Sequence, residues 1–196
     1  VVVAATPGLI NSLRAVRSYD QTDTRSIARE FIEREISSGQ AILIQPYSAP
    51  IRRSRESLVE ALRENLGDEA RASIKFQLEL AIDPPITPAY RTIYYGDGGT
   101  HPDKIYVLPR EVEQSGDLTP LRRRGIRYVV LKRGNIPNPE TAVLERAMAG
   151  HGRLLTTVSP YRPDTSLARQ AAVPPFLHNT GIQIDRTLER PGPTID

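Results

Sequence analysis

Apolar positions recur at helical spacing early in the chain. Ile27, Ala28, Phe31, Ile32 and Ile36 share one face, and Arg29, Glu30, Glu33 and Arg34 the other. Asp23 or Thr24 supplies the cap, and Gly39 in SSGQ the stop. AILIQPY follows, an unbroken apolar run ended by Pro46, the pattern of a strand buried on both faces. Leu58, Val59, Leu62 and Leu66 mark a second helix closed by Gly67. EARASIKFQLELAID fits both periods; its Glu, Arg, Ala and Leu content favours helix. RTIYYG and KIYVLP read as short strands around the loop DGGTHPD. LTPLRRRG reads as a short helix with Thr119 as cap and Pro120 first. IRYVVLKRG is a strand, NPETAVLERAMAGHG a helix capped by Asn138, and RLLTTVSPY another strand stopped by Pro160. Helices alternating with strands predict one α/β domain: a mostly parallel sheet flanked by helices. From Tyr161 onward the chain is proline-rich and is expected to form a strap over the domain.

Composition narrows the picture only slightly. At 39% hydrophobic and 25% charged, 196 residues suffice for a folded core. Against 26 Lys and Arg stand 23 Asp and Glu, interleaved, so no basic face for nucleic acid is expected. Cysteine is absent, which removes disulfides and thiol chemistry. The chain opens on Val1, not methionine, and leads us to expect a piece of a longer protein. Its first run, VVVAATPGLI, is about half the ~20 residues that span a bilayer. A buried strand, a frayed end or the tail of a membrane helix all fit it.

In a doubly wound sheet a ligand sits at the carboxyl ends of the strands. Here those ends carry QPYSAP, YGDGGTHPD, KRGNIPNP and SPYRPDT, with no glycine-rich phosphate fingerprint. GDGG suits either an ion-binding loop, through Asp97 and His101, or a plain turn that needs positive φ. His101, His151 and His178 lack metal-ligand spacing, so neither metal nor cofactor is expected. Tyr47, Tyr94, Tyr95 and Tyr161 near strand ends offer stacking surfaces for a carbohydrate or peptide. Arg52, Arg53 and Arg55, and Arg122, Arg123 and Arg124, form two clusters suited to phosphate or anionic headgroups, or to solvated helix ends.

Four phrases carry a resemblance: DTRSIAREFIEREISSGQAILIQPYS, PAYRTIYYGDGGTHPDKIYVL, GIRYVVLKRGN, and SPYRP with PFLHNT and LERPGP. In this order they resemble the C-terminal soluble region of bacterial multi-membrane-spanning glycosyltransferases. The type is that of protein O-mannosyltransferases and aminoarabinose transferases, in the glycosyltransferase C superfamily. The resemblance covers residues 18–196. It implies that residues 1–17 are the end of a membrane helix or a linker, and that residues 18–196 form an extracytoplasmic soluble domain on a membrane protein. The parent enzyme would move a sugar from a polyprenyl-phosphate donor to an acceptor. The family's catalytic acids lie in a first outward loop that has no counterpart here, so no catalytic residue carries over. The resemblance implies a non-catalytic accessory domain that helps position the acceptor. Its partners would be the membrane-embedded part of the polypeptide, with a sugar acceptor or lipid-phosphate headgroup as ligand. His178 and Asn179 in PFLHNT are either part of a structural strap or face that ligand. A separate carbohydrate- or peptide-binding module, or an α/β enzyme built on the glycine loop, are the alternatives.

Overall fold

The computed structural model describes residues 2–99, 101–134, 138–175 and 184–196. In chain order these form α1 (Val2–Tyr19), α2 (Thr24–Glu35), β1 (Ala41–Ile44), α3 (Arg55–Leu66), a 3-10 turn (Glu69–Arg71) and α4 (Ile74–Leu80). There follow β2 (Arg91–Tyr95), β3 (Tyr106–Val107), α5 (Pro109–Ser115), α6 (Thr119–Arg123) and β4 (Tyr128–Val130). The chain ends with β5 (Lys132–Arg133), α7 (Pro139–Met148), α8 (Leu167–Ala172) and β6 (Thr194–Ile195). Four strands make a parallel sheet in the order β3-β2-β1-β4, and β5 and β6 pair antiparallel beside it. The mixed fold with a mostly parallel, helix-flanked sheet matches the alternation read from the sequence.

Strand alternation sorts the core into two faces. Leu43 and Ile93 point toward α3, α5, α6 and α7, where Ala61, Val112, Leu121 and Leu144 meet them. Ile42, Ile44 and Val130 point the other way, onto Ala28 and Ile32 of α2, Ile36 just after it, and Ile195. All four β1 residues are buried, as AILI predicts for a strand covered on both sides. Arg53 is a structural cross-link: it ion-pairs with Asp103 at 2.8 Å and Glu79 at 3.0 Å, over the Phe76 ring.

The chain end closes on the start of α2. Thr24 donates its N–H to the Pro191 carbonyl (3.0 Å) and its hydroxyl to the Pro193 carbonyl (2.7 Å). Leu131 and Asp196 exchange both backbone hydrogen bonds, at 2.8 and 3.0 Å. This explains one departure from the sequence reading. RLLTTVSPY forms no strand beside β4; Val158 bridges to Ile195 and Tyr161 to Leu188. The C-terminal residues take the backbone partners that a fifth parallel strand would need. Other departures are local. The helix α2 stops at an extended Ile36, ahead of Gly39. Thr119 does not cap α6; its N–H and hydroxyl both donate to Asp117. The helices α5 and α8 were not expected, because each is short and lacks an apolar stripe of several turns.

Among the described residues no helix is long and apolar enough to cross a membrane. Residues 2–19 are nevertheless helical, so the expected boundary at residue 17 falls inside α1. Near its end Ala15 packs on a small cluster of Tyr161, Val173, Ile184 and Leu188. Leu9, Leu13 and Val16 lie on another face and are 61%, 60% and 66% exposed. Their spacing of four and three residues aligns them along one stripe.

Candidate ligand site at the carboxyl ends of the strands

The chain runs from β1 to β2 and β3 on one side, then returns to lay β4 on the other side of β1. The carboxyl ends of β1 and β4 therefore flank the point where strand order reverses, the place where open α/β sheets form a crevice. Gln45, immediately after β1, is buried there and fully engaged. Its Nε2 donates to Thr141 Oγ1 (2.6 Å), and its Oε1 accepts from the Lys132 N–H (2.7 Å). Its carbonyl accepts from the Ser48 hydroxyl (2.6 Å). This one side chain ties the loop after β1 to the chain after β4 and to the first turn of α7. Asn138 caps that turn by accepting from the Glu140 N–H, with Pro139 first in the helix.

The knot at Gln45 supports an unusual residue two positions on. Tyr47 has φ 63°, the left-handed region that bulky side chains avoid, and its side chain stands out with the residue 81% exposed. Lys132 Nζ lies 5.7 Å from its ring centroid. On the other flank Lys104 Nζ lies 4.9 Å from the Tyr94 ring, which itself meets Tyr106 at 5.9 Å. Beside these rings runs an open groove of about 630 Å³, lined by Arg25, Ser26, Gln45, Tyr47, Tyr94 and Lys104 among others. The carboxylate lining it is Asp23, and Arg25 grips that residue through Nε (2.8 Å) and Nη2 (2.6 Å). That hydrogen bond raises the Arg25 pKa above its ordinary value. Burial, and then the charge of Arg25, push the Lys132 ammonium below its ordinary value. Among the described residues neither Lys104 nor Lys132 ion-pairs with a carboxylate. The groove thus combines exposed aromatic surface with unneutralised positive charge.

The other side of the same edge is acidic. Tyr95 is buried at 2% exposure and donates its hydroxyl to the Glu140 carbonyl (2.8 Å). Burial, with the nearby charges of Glu140, Glu113 and Asp97, pushes that hydroxyl up to about 12. Burial and a hydrogen bond with Asp97 raise the Glu140 carboxyl.

The residues singled out from sequence therefore separate. Tyr47 stands at the groove. Tyr95 is a core residue with no free ring face, and Asp97 meets Glu140 rather than His101. Among the described residues no hydrogen bond or ion pair joins Asp97 to His101, which is exposed beside Gly99. Gly98 has φ 84°, so the glycine loop includes a turn that demands glycine. Arg122 and Arg123 are exposed at the end of α6, ahead of β4 and so at the opposite end of the sheet. His178 and Asn179 lie outside the described residues. Among the described residues no group of three or more His, Cys, Asp or Glu is placed to hold a metal ion.

Sequence reasoning missed Arg25, Gln45, Lys104, Lys132 and Glu140. A signal for two of them was present. The chain uses arginine almost throughout and has 3 lysines; one of those lines the groove and another stands over its Tyr47 ring. The chain matches no protein-family model, no curated protein and no solved structure.

Proposed function

We propose that this chain is a non-catalytic accessory domain of a membrane glycosyltransferase that uses a polyprenyl-phosphate sugar donor, held on the extracytoplasmic face, where it helps position the acceptor. The observation that carries the membrane part is the stripe of Leu9, Leu13 and Val16 on α1. Three large apolar side chains face away from the domain while Ala15 fastens the same helix to it. Such a stripe gains by burial, about 25 cal/mol per Å² of apolar area, and a membrane-embedded part of the same polypeptide is the cover this reading supplies. The sugar-transfer part rests on the phrases that resemble the soluble regions of such enzymes. The proline-rich end acts in this reading as a structural strap, supported by the hold of residues 191–193 on Thr24. The exposed Tyr47 favours a second reading, a carbohydrate-binding module in its own right.

The test is sugar transfer by the chain alone, supplied with a polyprenyl-phosphate sugar and a peptide or glycolipid acceptor. The expected result is a folded protein with no turnover. Measurable transfer by the isolated chain overturns the proposal.

A further inference from the structure

We infer that the groove lined by Tyr47, Tyr94 and Lys104, with Lys132 over the Tyr47 ring at its side, is a binding site for an anionic saccharide: a pyranose ring carrying a phosphate or a carboxylate. The inference goes beyond the accessory role and stands on the groove alone. A chain that binds nothing here can still serve a glycosyltransferase, and one that binds here can belong elsewhere.

The strand order supplies the geometry. Lys104 precedes β3 and Lys132 follows β4, the two outer strands, while Tyr94 and Tyr47 belong to β2 and to the loop after β1 between them. Each lysine leans inward over its neighbouring tyrosine, at 4.9 and 5.7 Å. Tyr47, Tyr94 and Lys104 line one open groove, and Lys132 stands over the Tyr47 ring beside it. Lysine presents a compact point charge suited to a phosphate or carboxylate oxygen. The nearby carboxylates are already engaged: Asp23 by Arg25 and Asp103 by Arg53. Burial, and then the charge of Arg25, disfavour the Lys132 ammonium, and an anion entering beside it favours the charged form.

The aromatic surface selects the rest of the ligand. Tyr47 is held in a conformation disfavoured for its side chain, and its ring is offered to solvent instead of to the core. One open ring face suits a sugar, whose other face and hydroxyls stay in water. A nucleotide base would be expected to seek a closed slot between two rings. Ser26 adds a hydroxyl in the first turn of α2.

Chemical-shift titration of the 196-residue chain tests this with four probes: a pyranose 1-phosphate, a methyl uronide, the neutral methyl glycoside and inorganic phosphate, with AMP as a fifth. The expected result is shifts confined to residues 23–26, 44–51, 94, 104 and 132, with an anionic pyranose at least tenfold tighter than the neutral glycoside and than phosphate alone. The tighter of the two anionic sugars identifies the charged group. Tyr47→Gly, Lys104→Gln and Lys132→Gln should each weaken that binding at least fivefold, with Tyr47→Gly melting no lower than the parent. Equal binding of the neutral glycoside, equal binding of bare phosphate, tighter binding of AMP, or no shifts in the groove overturns the inference.

Discussion

Single residues hold the groove side of the domain in place, and Gly192 is the most demanding of them. Its φ is +105°, and a Cβ there would sit 2.1 Å from Thr24 Oγ1 and 3.0 Å from the Thr24 nitrogen. The backbone cannot retreat without breaking the Pro191 and Pro193 bonds to Thr24. Gly192→Ala combines strain with overpacking and should cost about 2–4 kcal/mol, read from urea unfolding. Tyr95 sets a second expectation. Its folded pKa of about 12 exceeds the unfolded value near 10. A raised folded pKa gives stability that is complete below pH ~10 and lost as pH climbs toward 12. Unfolding free energy should therefore fall across that window. Tyr95→Phe should lose about 1 kcal/mol at neutral pH with its hydrogen bond, and should show a shallower alkaline decline. Tyr47 was legible in the sequence as a strand-end aromatic. Its left-handed backbone was not, because nothing local to QPYSAP demands it; the Gln45 knot, made with residues 87 and 96 positions away, imposes it.

At the scale of elements, the local signals served well wherever an element buries its own stripe. The helices α2, α3 and α7 and the strands β1, β2 and β4 lie where periodicity and capping put them. The exception is instructive. Residues 153–157 have strand-like composition, yet Leu154 and Leu155 are exposed and no backbone hydrogen bond is formed by this stretch among the described residues. The competitor is the chain end, more than thirty residues later, where Asp196 pairs with Leu131 and Ile195 with Val158. Propensity cannot reveal a rival segment that far away. Hydrogen exchange should show this directly: amides of residues 42–44 should open only with global unfolding, and those of residues 154–156 without it. Protection of 154–156 equal to that of β1 would mean a fifth strand forms.

For the whole molecule, the α/β architecture was readable and the ligand edge was partly so. Of the strand-end loops named from sequence, only QPYSAP lines the groove, and the order β3-β2-β1-β4 decides which loops meet. Asp97 and His101 are four residues apart, and among the described residues no hydrogen bond or ion pair joins them, whereas Lys104 and Lys132 come from different strands to stand over Tyr94 and Tyr47. Function follows from what the domain leaves uncovered: the stripe on α1 and the basic aromatic groove. The central claim is that a membrane-embedded glycosyltransferase supplies the rest. The most direct measurement is to determine the coding sequence upstream of Val1 and score it for hydrophobic spans. The account predicts several spans of about twenty apolar residues, with a pair of acidic residues in the first outward-facing loop. A start codon within a few residues of Val1 would contradict it.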